Sequence, residues 1–272
     1  MFAAASTAGF LLASPEARAG DVLRASGTGT ALGTMHRLAA AFEKASPGDR
    51  LELLPSLGSS GALRAVAKGA IDLAFAGRAL GPSEQALGIV AVAYARTPFV
   101  FVSGPNTGVS GITAEDAARI YRGKLVRWPT GERVRLVLRP RTDVDTMLIR
   151  GISAEMAEAV DVSLAREGML MAATNQDADE IVARTPGAIG PSSLTQVLVE
   201  GSKVVPLAWE GVQPTLPNLA SGAYPLVKTL HAAFRAPPRP AIRRFLDFLG
   251  SPEARAILGD AGNLPLAPPA PE

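Results

Sequence analysis

An α/β fold, with a parallel sheet covered by helices on both faces, is predicted by three observations. Strand-like and helix-like stretches alternate through the first eighty residues. The strand-like stretches, Val22–Ala25, Arg50–Leu54 and Ile71–Ala76, are short and apolar. Each runs into a loop containing glycine: Ser26–Thr30, Pro55–Gly61 and Gly77–Leu80. In such sheets ligands sit at the carboxyl ends of the strands, where these loops lie.

The elements follow in order. After Val22–Ala25 the loop Ser26-Gly27-Thr28-Gly29-Thr30 opens a helix marked by Leu32, Met35, Leu38, Ala39 and Phe42 at three- and four-residue spacing. A strand turning into a helix leaves free N–H groups and partial positive charge at the turn, an anion-binding design. The glycines could equally serve the backbone alone. Leu63, Val66 and Ala67 mark a second helix ending near Gly69. Pro98–Ser103 is a β-rich run. Thr113 and Asp116 frame a capping box for a helix that stops at Gly123, and Trp128–Gly131 is a turn. Val134–Leu138 is a strand delivering Arg139–Thr146, followed by helical pattern to Ala165. Asn175–Arg184 is a helix with acids early and Arg184 late, matching its dipole. A turn and short strand occupy Pro186–Gly190, with further strands at Val204–Leu207 and Pro225–Leu230. Ile242, Phe245, Leu246 and Leu249 form one helical stripe, and Ser251-Pro252 caps the next helix, ending at Gly259. The proline-rich end is expected to be disordered, over 263–272.

The chain has 272 residues, enough for one large domain or two of moderate size. Its 47% apolar content rules out wholesale disorder. A net charge of +2 and 5% aromatics give no footprint for nucleic acid. Phe2–Ala13 is apolar and Ala17-Arg18-Ala19 precedes Gly20, so residues 1–19 read as a cleavable export signal, although the basic start of such signals is missing. The run is too short to span a bilayer. With no cysteine, disulfides and an N-terminal lipid anchor are excluded, which makes a periplasm the expected compartment.

Enzyme signatures fail. The third glycine slot of a dinucleotide fingerprint holds Leu32. Gly58-Ser59-Ser60-Gly61-Ala62 approaches a nucleophile elbow, but Ala62 stands where glycine is required. The only histidines, His36 and His231, read as structural, and two histidines without cysteine do not suggest zinc. No catalytic residue, metal or cofactor is assigned.

Ser26–Thr30, Gly58–Gly61, Gly69–Asp72, Tyr121–Lys124 with Trp128, Thr185–Gly190 and Phe245–Glu253 fall in one order. On these stretches the chain resembles the phosphate-binding periplasmic proteins of ABC importers, from about Val22 to Leu266. The resemblance implies a two-lobed periplasmic-binding-protein fold, two α/β lobes joined by two crossing strands. Lobe one would hold 20–102 and 203–262, and lobe two 103–202. Pro98–Ser103 would be the outward crossing and Val199–Leu207 the return. It also implies a small oxyanion ligand, with phosphate the first choice, an ABC permease as partner, and a monomer.

The ligand-binding residues it implies are Thr28, Gly29, Thr30, Ser59, Ser60, Gly61 and Arg139. The sequence departs from the family in two places. Thr142-Asp143-Val144-Asp145-Thr146 replaces a Gly-Ser-Gly-Thr turn and is one residue longer, and Gly77-Arg78 stands where many members carry an acid. Arg78 from lobe one with Asp143 and Asp145 from lobe two would keep a mixed-charge site with its sides exchanged. A carboxylate facing an oxyanion is repulsive unless the ligand donates a proton to it, so such a site favours protonated phosphate over sulfate. The alternatives are capping and an Asp–Arg141 bridge for the two acids, and a surface ion pair for Arg78. A ligand-sensing or adaptor protein of the same fold remains the second function class.

Overall fold

The computed structural model describes residues 20–267. The leader expected over 1–19 lies outside them. The chain starts with β1 (Val22–Gly27), α1 (Gly29–Ala45), β2 (Arg50–Leu53), α2 (Gly58–Ala67), β3 (Leu73–Ala76), α3 (Pro82–Gln85) and β4 (Ile89–Ser103). β1 pairs in parallel with β2 and β3, Ala25 standing beside Leu53 and Leu73. The side chains of β3 alternate between two cores. Leu73 and Phe75 pack with α1, while Ala74 and Ala76 pack with Leu63 and Val66 of α2. Helices therefore cover both faces of the sheet, as expected from the alternation of elements.

The second lobe comprises β5 (Gly111–Ile112), α4 (Ala114–Tyr121), β6 (Arg135–Leu138), α5 (Val144–Arg150), α6 (Ala154–Ala165), β7 (Leu170–Met171), α7 (Asn175–Arg184), β8 (Ala188–Ser193), α8 (Leu194–Glu200), β9 (Val205–Pro206), β10 (Ala208–Trp209) and α9 (Leu216–Ala220). The chain closes with β11 (Val227–Arg235), α10 (Pro240–Leu249), α11 (Pro252–Asp260) and β12 (Leu264–Pro265). The strands run in the order β2-β1-β3-β11-β4-β8-β6-β7.

β4 joins the lobes. Ile89–Pro98 pairs with β11 and Phe99–Ser103 with β8, both antiparallel. The outward crossing expected at Pro98–Ser103 is thus the second half of a longer strand. The return falls later than the expected 199–207. Val204, Leu207, Trp209 and Tyr224 belong to the core of lobe two. Trp209 stacks on Phe101 with centroids 5.5 Å apart, and Tyr224 donates to the Phe99 carbonyl at 2.8 Å. Burying two large aromatics holds 204–226 with lobe two, and the chain re-enters lobe one at Val227.

The expectation of disorder from 263 is also corrected. Leu264–Pro265 pairs with β4 at Arg96 and Ala95, Leu266 N donates to the Tyr94 carbonyl at 2.9 Å, and Asn263 is fully buried. Pro265 is tolerated because β12 is an edge strand. Residues 268–272 lie outside the described part of the chain.

Candidate functional site

The carboxyl ends of β1, β2, β3 and β6 deliver their loops to the junction of the lobes. A cleft of about 520 Å³ opens there, lined by Ser59, Ser60, Gly61, Arg139, Thr142 and Asp143 among the expected residues. Asn175, Ser56 and Arg64 also line it. A hollow of similar volume lies on lobe two, lined by Leu125, Arg133 and Arg166, away from these loops.

The two lobe-one helices that reach the junction have open N-termini. Thr28 and Leu57 precede α1 and α2 without a side-chain cap, and neither first turn carries an acid. No side-chain charge offsets the positive end of either dipole, although Gly58 N of α2 donates to Ser56 Oγ at 3.3 Å. The lobe-two helices differ. Asp143 caps α5 by accepting from Asp145 N at 2.9 Å, and Thr174 with Asp177 forms a capping box on α7.

Gly29 has a specific task. A Cβ there would lie 2.3 Å from Gln176 Oε1, so a glycine lets α7 approach the start of α1. Gly27 meets the Phe75 carbonyl oxygen, which would be 2.2 Å from its Cβ. Neither carries a positive φ. Close approach, rather than a left-handed turn, explains both residues.

Arg139 is 4% exposed at the end of β6. Its guanidinium donates to Asp143 through Nε at 3.3 Å and Nη2 at 2.8 Å, and to the Ala172 carbonyl at 3.0 Å. The bridge to Arg141 considered for Asp143 is not the one formed, because Arg141 pairs with Asp161. Thr146 Oγ1 donates to the Arg139 carbonyl at 3.1 Å, fixing the loop between β6 and α5.

Thr28, Thr30 and Asp145 do not line the open cleft. They lie beneath it in a buried network that bridges the lobes. Thr28 Oγ1 donates to Asn175 Oδ1 at 3.1 Å, and Asn175 Nδ2 donates to Asp145 Oδ2 at 2.7 Å. Asp145 Oδ1 is ion-paired with Lys228 Nζ, which also donates to Thr30 Oγ1 at 3.1 Å. Ser193 Oγ reaches Thr30 Oγ1 at 3.4 Å. Burial pushes the Asp145 carboxyl up from its ordinary range, opposed first by the charge of Lys228 and raised further by Asp143.

Arg78 is not a cleft cation. It forms a two-pronged pair with Glu84 at 2.7 and 2.8 Å, and Glu84 accepts from Gly81 N at 2.8 Å at the start of α3. Its one link to the site is Nη2 to Ser60 Oγ at 3.3 Å. The positive group that lobe one brings to the acids is Lys228. Gly77 lies against the lysine stem, where a Cβ would make an ordinary contact with Lys228 Cδ at 3.4 Å.

Sequence reasoning missed Asn175 and Lys228. Asn175 could have been found as the first residue of a helix following a strand. Lys228 had one signal, a lone cation inside the apolar run Pro225–Leu230.

Two α/β lobes meeting at a polar cleft, with strand-end loops from both lining it, define a fold of the two-lobed class. The chain belongs to the PBP superfamily, whose domain model matches residues 13–253. It is 29% identical over 168 residues to a phosphate-binding protein of Bacillus subtilis, an alignment spanning 60% of this chain and about half (53%) of that protein. Its fold matches that of a phosphate ABC transporter substrate-binding protein of Clostridium perfringens crystallised with phosphate, at a TM-score of 0.80 and 21% identity, covering 90% of this chain and 100% of the other. The regulatory domain of a LysR-family regulator from N. meningitidis shares the fold at a TM-score of 0.54 and 16% identity, over 90% of this chain and 100% of that domain. The same fold thus occurs in a substrate-binding protein and in a regulator's domain.

Proposed function

We propose that the chain is an extracytoplasmic solute-binding protein that captures phosphate between its lobes for an ABC importer. One observation carries this reading: the uncapped N-terminus of α2 faces Arg139 and the capped helices α5 and α7 of lobe two across a polar cleft. The Bacillus subtilis and Clostridium perfringens proteins point to the same ligand.

The energetics require all the parts together. Micromolar binding needs about 8 kcal/mol. A helix terminus contributes at most about 2 kcal/mol, and each hydrogen bond to a charged group about 1.5–3 kcal/mol. The end of α2, the hydroxyls of Ser59 and Ser60, and the two free donors of Arg139 reach that sum. Asp143, on the cleft wall, accepts the proton that phosphate retains at neutral pH and repels sulfate, which has none to offer. Contacts made only in the closed form then shift the lobes toward closure, the state a permease would recognise.

Binding without turnover fits the surroundings of the serines. Ser59 Oγ accepts from Gly77 N at 2.9 Å, and neither His36 nor His231 lines the cleft. In this reading residues 1–19 direct export to the periplasm and are removed, and the mature protein acts as a monomer. The test is a thermal-shift panel of phosphate, arsenate, sulfate, molybdate and small carboxylates at two pH values. A ligand at a thousand times its Kd adds about 4 kcal/mol of stability. A shift with phosphate and arsenate but not sulfate supports the proposal, and no shift with any oxyanion refutes it.

A further inference from the structure

We propose that the hollow at the far pole of lobe two is a second binding site, one that takes a small organic anion: a monocarboxylate carried on an apolar body. The site is independent of the phosphate reading, because the hollow and the cleft share no lining residue.

The parallel pairing of β6 and β8 separates the two places. The cleft lies beyond the carboxyl end of β6, at Arg139, Thr142 and Asp143. The hollow is lined by Arg133–Leu136 at the amino end of β6 and by Thr185 ahead of β8, so it lies at the opposite end of the lobe-two sheet. Its volume of about 520 Å³ falls within the range of small-molecule pockets. Leu125, Val126, Leu136, Met169 and Leu170 give it an apolar wall. Val126 is 55% exposed and Leu170, on the edge strand β7, is 36% exposed, so part of that wall stands open to water.

The charge on the hollow has one sign. Arg133, Arg135 and Arg166 line it, and among the described residues no acid does. Arg135 is answered within the protein, by the Pro186 carbonyl at 2.6 Å and by Glu132 at 3.5 Å. Arg133 is exposed, and its guanidinium forms no ion pair among the described residues. Arg166 is held in place. Its Nη2 donates to the Tyr121 carbonyl at 3.0 Å, at the end of α4. Gly123 admits the guanidinium: its φ is +71°, and a Cβ there would lie 2.1 Å from Nη1. The Arg166 Nε is enclosed by protein, whereas Nη1 is not enclosed and makes no hydrogen bond among the described residues. Arg133 and the Nη1 of Arg166 are thus the donors that a ligand can reach.

A guanidinium matches a carboxylate in charge and in planar shape. Uncompensated arginines beside an open apolar wall fit a molecule with both characters, its head on Arg133 and Arg166 and its body on Val126 and Met169. An amine of the same body meets like charge. Arg166 also answers the partial negative charge at the end of α4, which explains one arm of its guanidinium. That role explains neither Arg133 nor the exposed apolar wall.

The test titrates the protein with octanoate and with octylamine at neutral pH and follows the labelled methyl groups of methionine by NMR. Met169 lines the hollow and Met147 lines the cleft, so each site has its own reporter. We expect octanoate to move the Met169 signal saturably, with a Kd of about 1 mM or tighter, and to leave Met147 in place. Octanoate should bind about tenfold more tightly than hexanoate, the gain from burying two more methylenes. Octylamine should not move Met169. Arg133→Met and Arg166→Met should each weaken octanoate about tenfold or more, the loss of a charge-assisted hydrogen bond. If Arg166→Met does not fold, Arg133→Met carries the comparison, since that side chain is exposed and unpaired. The proposal is overturned if Met169 shows no saturable shift by about 10 mM octanoate. It is equally overturned if octylamine matches octanoate, if Met147 responds in place of Met169, or if Arg133→Met binds octanoate as wild type does. Because the reporter is Met169, these results decide the hollow whether or not phosphate binds in the cleft.

Discussion

Removing the Arg139 side chain should abolish oxyanion capture while leaving the protein folded. A guanidinium has five N–H donors. Three are engaged, two on Asp143 and one on the Ala172 carbonyl, which leaves two for a ligand. At about 1.5–3 kcal/mol for each charge-assisted bond, Arg139→Ala should cost about 3–6 kcal/mol, or roughly a hundredfold to ten-thousandfold in Kd. Asp143 adds to the loss, because its carboxylate then faces the anion without its partner. The double variant Arg139→Ala with Asp143→Ala should therefore bind phosphate better than Arg139→Ala alone, a coupling that a double-mutant cycle isolates. Calorimetric titration gives the affinities, and the ligand-free melting curve confirms the fold. Arg139→Ala binding phosphate within threefold of wild type would refute the assignment of this arginine.

Ser60→Ala should weaken phosphate binding about tenfold, read by the same titration, since it removes one hydroxyl from the cleft wall and leaves the backbone of α2 in place. Gly27→Ala should destabilise the fold by about 1–3 kcal/mol and lower Tm by several degrees, because its Cβ would fall 2.2 Å from a carbonyl oxygen of β3, where backbone cannot give way. Asp179, 3% exposed in lobe two, is pushed by burial up to about 6, against the hydrogen bonds of Ser202 and Gln196. Its folded pKa lies above its unfolded value, so its contribution to stability is full below about pH 4 and is lost as pH rises through about 6. Asp179→Asn should thus be more stable than wild type at pH 7.5, by at most about 3 kcal/mol, with the gap closing at pH 4. Equal melting temperatures for the two proteins at pH 7.5 would contradict this.

The parts of the fold that could be read in the sequence were those set by local chemistry. The helix of Met35, Leu38 and Phe42 and the parallel strands β1 to β3 follow from periodicity and glycine loops, because each buries one narrow stripe or a short run. The first half of β4 was hidden. Ala91, Ala93 and Ala95 have little strand preference, and this stretch is held by pairing with β11, more than a hundred residues away. The same holds for His231–Arg235 at the far end of β11. Segment 204–226 was assigned to the wrong lobe because its anchors, Trp209 and Tyr224, find their partners on β4 and not near them in sequence. At the site, the strand-end loops were legible and Arg139, Ser59 and Ser60 were found from them. Lys228 was not, since its partner Asp145 lies 83 residues earlier in the chain.

Diffraction from the protein crystallised with saturating phosphate puts the account to its most direct test. Tetrahedral density is expected in the cleft, within hydrogen-bond distance of the Arg139 guanidinium and the first-turn amides of α2. An empty junction, or phosphate seated only in the hollow of lobe two near Arg133 and Arg166, would contradict it.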